Sequence, residues 1–310
     1  MSLLVVGSVA FDAIETPFGK TDKIIGGAAT YIALTATHFV KPVYLVSVVG
    51  GDFPSAELEG FQARGVRTEG LQIKADQKSF FWSGRYHNDM NSRDTLATEL
   101  NVLEHFDPIV PAAYHDAQYV LLGNLAPQVQ LQVLERLPKR PALVVMDTMN
   151  FWMEVALDAL KAVIARVDVL CINDEEARQL SGEYSLVKAA KKILGMGCQH
   201  LIIKKGEHGA MLFSEGKIFY APALPLEEVF DPTGAGDTFV AGFVSHLAQT
   251  GDHSFAGMAE GIIKGSAMAS FCVERFGPER LYKLTPEEIA ARQAQFYQLV
   301  QTGGIILDRA

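Results

Sequence analysis

Basic blocks are absent from this 310-residue chain: 27 Lys and Arg face 36 Asp and Glu, for a formal net charge of −9. The electrostatic footprint of a nucleic-acid binder is therefore missing, and an acidic surface disfavours an anionic membrane as partner. Cysteine is scarce. Cys171, Cys198 and Cys272 are far apart and form no CxxC pair, which argues against a zinc ribbon or a dithiol motif. They read as buried thiols of a reducing compartment. The 8 histidines include no HExxH and no pair at helical ligand spacing. No apolar run reaches membrane-spanning length. The N-terminus opens on the strand-like run Leu3-Leu4-Val5-Val6, without a basic segment before it. A signal peptide is not expected there, and a cytoplasmic location is.

What is present is ordinary for a soluble globular protein: 49% hydrophobic and 20% charged residues. Strand-like runs at residues 3–9 and 43–49 alternate with helical patterns at 28–39 and 54–64. The same rhythm resumes with strands near 119–122, 142–146 and 167–172, separated by helical segments at 128–137 and 151–165. A β-rich patch follows at 201–204 and 210–220, then helices at 235–249, 254–273 and 286–301. This alternation predicts an α/β fold with a mainly parallel sheet. Between residues 71 and 103 the rhythm breaks into short aromatic segments, among them Phe80-Phe81-Trp82 and Tyr86, separated by turn formers such as Asn88, Asp89 and Asn91. A small antiparallel sheet projecting from the main body is expected there. With no repeat or linker, residues 1–310 are expected to form a single domain.

The segment richest in chemistry is Phe230-Asp231-Pro232-Thr233-Gly234-Ala235-Gly236-Asp237-Thr238-Phe239. Pro232 stiffens the approach, and the glycines allow a tight turn and close approach to a ligand. Phe239, Val240 and Phe243 then begin an apolar helical face. Gly234, Ala235 and Gly236 thus stand at a helix N-terminus, where free N–H groups and the dipole favour an anion such as a transferring phosphoryl group. Asp237 lies in the same first turn. The dipole is expected to keep its carboxylate ionised, able to take a proton from a substrate hydroxyl. Read alone, a Gly-rich turn with a first-turn Asp is also ordinary capping.

The whole run resembles the C-terminal signature of the ribokinase-like, or phosphofructokinase-B type, family of sugar and nucleoside kinases. Four other places resemble the same family, in the expected order. Gly26-Gly27 before a helix is similar to its N-terminal diglycine signature, where backbone approaches the sugar. Asp12 matches the carboxylate that holds substrate hydroxyls, although a turn residue is the plainer reading of it alone. Asn173-Asp174-Glu175-Glu176 resembles the N-x-x-E motif, in which Asn173 and Glu176 would act on Mg²⁺ and phosphate through water. The same spacing is an N-cap pattern. Lys204-Lys205-Gly206-Glu207-His208-Gly209 resembles the strand and turn that line the ATP site, with Lys204, Gly206, Gly209 and Thr233 on the nucleotide.

The resemblance implies a three-layer α/β/α ribokinase-like fold with a β lid, here from about 11–25 and 71–103. It also implies ATP-dependent phosphotransfer to a hydroxyl of a small sugar or nucleoside. Asp237 would be the base, and Gly234, Ala235 and Gly236 the anion hole. ATP and Mg²⁺ are the implied cofactors. K⁺, which members often bind beside this loop, would fall at Asp231 and Thr233. The aromatics Phe80, Phe81 and Trp82 read as lid packing or as the contact of a homodimer through the lid. An adenosine-like nucleoside kinase and a non-catalytic sensor on the same fold stand as alternatives. Many members carry Asn four positions after the second glycine, whereas this chain has Tyr31. The acceptor pocket is therefore expected to differ, with Tyr31 beside Asp12, Gly26 and Gly27. Lys78, Arg85 and Arg93 are the lid cations that a phosphorylated acceptor would need. Two other glycine patterns fail: Gly19-Lys20-Thr21 has Ile14 where a P-loop needs glycine, and Gly234-Ala235-Gly236 is followed by Phe239 where a dinucleotide fingerprint needs a small residue.

Overall fold

The computed structural model describes residues 1–301. In chain order its strands are β1 (Leu3–Val6), β2 (Ala10–Thr16), β3 (Gly19–Lys20), β4 (Ile24–Gly26), β5 (Val43–Gly50), β6 (Val66–Lys74), β7 (Phe81–Tyr86), β8 (Arg93–Glu99), β9 (Tyr119–Leu122), β10 (Leu143–Asp147), β11 (Val169–Asn173), β12 (His200–Lys204), β13 (Ala210–Ser214) and β14 (Lys217–Ala221). Nine of them form one sheet in the order β14-β13-β12-β11-β10-β9-β1-β5-β6. All neighbours from β12 to β6 pair in parallel, and β13 and β14 close one edge as an antiparallel hairpin.

Parallel strands covered on both faces need apolar residues at every position, and the sequence supplies them. Along β1, Leu3 and Val5 enter the core on one face, while Leu4 and Val6 enter the core on the other. Helices Ala28–Ala36, Ala235–Thr250 and Phe255–Cys272 supply the first core; Pro127–Arg136, Leu157–Ile164 and Leu186–Leu194 supply the second. The result is the three-layer α/β/α arrangement expected from the alternation. Helix boundaries depart from the expected ones at two places. The segment 151–165 breaks at Ala156 (φ −146°) into Asn150–Val155 and Leu157–Ile164. The helix Leu186–Leu194, with Ala189, Ala190 and Ile193 buried, went unread.

The aromatic insertion does form part of a second, five-stranded sheet, in the order β3-β2-β7-β8 with β4 on β2. Its pairings are antiparallel, as expected, at β2–β3, β2–β4 and β7–β8, whereas β2 and β7 pair in parallel, Phe11 opposite Phe81. Residues 71–74 also fall outside it. They extend β6, the far edge of the main sheet, where Leu71 and Gln72 pair with Ser47 and Val48. Only after this strand does the chain cross to β7.

Candidate active site

The parallel strands all end on one edge of the sheet, where open α/β folds bind ligands. Ser8, just beyond β1, anchors the first helix: its Oγ accepts Ala28 N–H (3.1 Å) and its carbonyl accepts Ala29 N–H (2.9 Å). These donors would otherwise be orphans of the helix start. Gly27, at φ +90°, makes the turn, and its N–H donates to Asp12 Oδ2 (3.4 Å). Any side chain at Gly26 would collide with the Asp12 carboxylate. Asp12 and the diglycine therefore form one unit, as the sequence suggested. Burial raises the Asp12 carboxyl to about 7, against the Gly27 hydrogen bond, with the charge of Asp231 adding to the rise.

Tyr31 packs beneath the glycine loop. It is 1% exposed, and its ring lies where a Cβ on Gly234 would go. Position 234 must therefore be glycine twice over, for this contact and for its left-handed φ of +76°. The phenol has no hydrogen-bond partner among the described residues. Burial pushes its pKa up, and the neighbouring Asp231 and Asp12 carboxylates push it further.

Asp231 is fully buried and shapes the loop. Its Oδ1 accepts Thr233 N–H and its Oδ2 accepts Gly277 N–H, both at 2.8 Å. Thr233 Oγ1 lies 3.2 Å from the Tyr86 hydroxyl, and its carbonyl accepts Cys272 Sγ–H (3.5 Å). The loop then enters helix Ala235–Thr250 with Gly234 as N-cap. Ala235 N–H turns back to Pro232 O (3.2 Å), and Thr238 N–H reaches Gly234 O (2.8 Å). Gly236 and Asp237 N–H have no partner among the described residues. Of the three expected anion-hole residues, Ala235 spends its N–H on the turn, whereas the N–H groups of Gly234 and Gly236, like that of Asp237, have no partner among the described residues.

Asp237 stands in that first turn, but the helix dipole does not decide its charge. Burial raises its carboxyl to about 7; Asp147 and Asp12 add to the rise, while Lys204 and Arg93 oppose it. A dipole contributes at most about 1–2 kcal/mol, less than the roughly 4 kcal/mol that a shift of about 3 units represents. The expectation of a fully ionised Asp237 at neutral pH is corrected accordingly.

Asn173 and Glu176 make a complete capping box at the start of helix Asp174–Ser181 (2.8 Å in each direction). The Glu176 carboxyl is raised to about 7 by burial, against Lys204. Lys204, at the end of β12, pairs with Asp147 at the end of β10 (2.8 Å). Gly206 (φ +53°) and Gly209 (φ +91°) bound a tight turn after β12, and Asn91 of the small sheet sits directly over Gly206. Of the three cations weighed for a phosphorylated acceptor, Arg85 is bound to Glu15 (2.7 Å) and Lys78 is exposed. Arg93, whose guanidinium is 5.8 Å from the Trp82 ring centroid, faces Asp237 and Glu176 instead.

Asp147 was missed, although a carboxylate closing the apolar run Leu143-Val144-Val145-Met146 marks the ligand edge of a parallel strand. Tyr86 was read only as one lid aromatic, and nothing in its own segment pairs it with Thr233.

A family model described as pfkB family carbohydrate kinase matches residues 2–283. A cytidine kinase of Thermococcus kodakarensis is 31% identical over 249 residues, covering 79% of this chain and 88% of its own. A nucleoside kinase of Methanothermobacter thermautotrophicus is 28% identical over 312 residues, covering 95% and 96%. Among solved structures, the Burkholderia thailandensis nucleoside kinase in complex with inosine superposes with a TM-score of 0.76 at 23% identity, covering 95% of this chain and 98% of that one. The Methanocaldococcus jannaschii nucleoside kinase, a ribokinase-family member, gives 0.76 at 20% identity.

Proposed function

The chain belongs to the pfkB family of carbohydrate kinases, and on that premise we propose that it phosphorylates a hydroxyl of a small uncharged acceptor, with Asp237 as the base. One observation carries the reading: the unpaired Gly236 and Asp237 N–H groups stand in the same helical turn as the Asp237 carboxyl. An anion-binding site and a proton acceptor therefore share one rigid segment. Asp12 and the Gly26-Gly27 backbone hold the acceptor. Its hydroxyl oxygen bonds to the γ-phosphorus of ATP while the bond from that phosphorus to the departing ADP breaks. The hydroxyl proton passes to the Asp237 carboxylate, and the main-chain donors hold the charge on the equatorial oxygens. A carboxyl near 7 suits this task, since the base is poised at working pH.

The donor set fits Mg²⁺ carried by ATP. Glu176 keeps one carboxylate oxygen beyond its bond to Asn173 N–H, and hard oxygens with retained water suit this ion. When bound, the ion neutralises phosphate charge. Asp231 and Thr233 keep acceptor capacity that would suit K⁺, since a carboxylate or carbonyl oxygen accepting one hydrogen bond retains a lone pair and the Thr233 hydroxyl donates in its bond to Tyr86. No step through K⁺ is derived.

An uncharged acceptor is the reading supported by Asp12: among the described residues the charged group acting on it is another carboxylate, Asp231. Lys23 is bound to Asp52 (3.1 Å), and Arg85 to Glu15. A phosphorylated acceptor would need a free cation there. The relatives named for cytidine and nucleosides support a nucleoside over a free sugar. ADP release from Mg-ATP, measured across nucleosides, pentoses, hexoses, inositols and sugar phosphates, tests this. A neutral nucleoside should give the highest kcat/KM; a preference for a sugar phosphate would overturn the reading.

A further inference from the structure

The Asp147–Lys204 pair calls for a reason. The two residues end strands that flank β11. Asp147 is in register with Cys171, and Lys204 with Asn173, which places all four side chains on the face covered by helix Ala235–Thr250. The side chains are only 16% (Lys204) and 6% (Asp147) exposed. A buried ion pair is a poor way to stabilise a fold, since an apolar pair of similar volume often does as well or better. Burial alone would lower the pKa of the Lys204 ammonium, but Asp147, with Cys171 and Glu176 beyond it, holds it raised and charged. Asp147 is itself fixed, its Oδ1 accepting Thr148 N–H (2.9 Å).

The geometry shows where that charge is aimed. A Cβ on Gly236 would lie 3.0 Å from Lys204 Nζ, so the absent side chain is what lets the ammonium approach the helix start. Of its three N–H donors one is spent on Asp147, and the others have no partner among the described residues. They adjoin the unpaired Gly236 and Asp237 N–H groups.

We propose that Asp147 is a positioning residue that holds Lys204 beneath Gly236, so that the ammonium joins the Gly236 and Asp237 N–H groups on the phosphoryl oxygens during transfer. The inference rests on the reading of this loop as the transfer site. The charged groups facing Asp237 come from several elements: Asp147 from β10, Lys204 from β12, Asp12 from β2 and Arg93 from β8. Glu176 faces the pair from its own helix. Lys204 favours the ionised base and Asp147 disfavours it, so the two partners pull the acid limb of the pH–rate profile in opposite directions.

The test compares Lys204→Met and Asp147→Asn in the full-length protein, with kcat, KM for ATP and the pH profile of kcat as readouts. Lys204→Met should lower kcat by about 10²–10³, the usual worth of a transition-state charge donor, and move the acid limb to higher pH. Asp147→Asn should lower kcat less, by about 10-fold or more, and move the limb to lower pH. The limb displacements read the charges facing Asp237; the loss of kcat in Lys204→Met with KM for ATP little changed is what a merely structural role would not produce. Limbs that stay put or move together would overturn the proposal, as would a Lys204→Met protein with unchanged kcat. Should Lys204→Met fail to fold, the near-isosteric Asp147→Asn decides alone by the direction of its limb. Normal turnover in Asp237→Asn alongside a crippled Lys204→Met would remove the base and leave this placement standing; the reverse result would remove this placement only.

Discussion

Asp12→Asn separates the cost of a functional carboxylate from its use. Asp12 is 4% exposed, and burial holds its carboxyl at about 7 rather than 3.8. The unfolded chain ionises near the ordinary carboxylate value, so between these limits it binds fewer protons than the folded protein. The sign follows: a buried acid with a raised pKa destabilises the fold increasingly as pH rises from about 4 to about 7, and the penalty is flat above that. A shift of about 3 units is worth roughly 4 kcal/mol at pH 8, and at pH 5 only about 1.5–2 kcal/mol of it is expressed. Asparagine has the same shape and can still accept the Gly27 N–H, but it carries no charge to bury. Urea unfolding of both proteins at pH 5 and pH 8, analysed by linear extrapolation, reads the difference. The stabilisation by Asp12→Asn should be about 2–3 kcal/mol larger at pH 8 than at pH 5. Acceptor KM should rise at the same time. Equal stabilisation at the two pH values would refute the assignment of this penalty to Asp12.

Gly234→Ala forces a side chain into the Tyr31 ring at a left-handed φ. The two costs, about 1–2 kcal/mol for the backbone and about 1–3 for overpacking, should appear as a fall in Tm of roughly 5 °C or more; an unchanged Tm would show that the loop relaxes freely. The wild-type pH profile of kcat should lose activity as pH falls through about 7, because Asp237 must be ionised to act; an acid limb near 4 would place the titrating base elsewhere. Tyr86→Phe removes the contact to Thr233 and should lower kcat/KM by about 5-fold, the worth of one neutral hydrogen bond, so an unaltered value would make that contact incidental. Activity should be higher in K⁺ than in choline salts if Asp231 and Thr233 hold the cation through their remaining lone pairs, and equal activity in the two salts would contradict that reading.

The layer arrangement was legible because fully apolar runs such as Leu3–Val6 leave little choice but a strand buried on both faces. The glycine loop was legible for a similar reason: Gly234 and Gly27 occupy backbone conformations that other residues avoid, so composition marks geometry there. Pairing direction in the small sheet was not legible, because β2 and β7 meet over a sequence distance with no turn to fix their sense. The electrostatics of the site were hidden for the same physical reason. Asp147, Lys204, Arg93 and Asp237 come from four separate elements. Only their convergence shows that burial and like charges, rather than the helix dipole, set the state of the base. Tyr31 shows a contact that sequence spacing did not give: its ring packs against Gly234, 203 positions along the chain.

The most direct measurement is turnover of Asp237→Asn beside wild type, as ADP released from Mg-ATP at pH 8 with the best acceptor of the panel. A base positioned in the first turn of helix Ala235–Thr250 predicts a loss of about 10²–10⁴ in kcat, with KM for ATP little changed. Turnover within a few-fold of wild type would contradict the account at its centre and take the role of base away from Asp237.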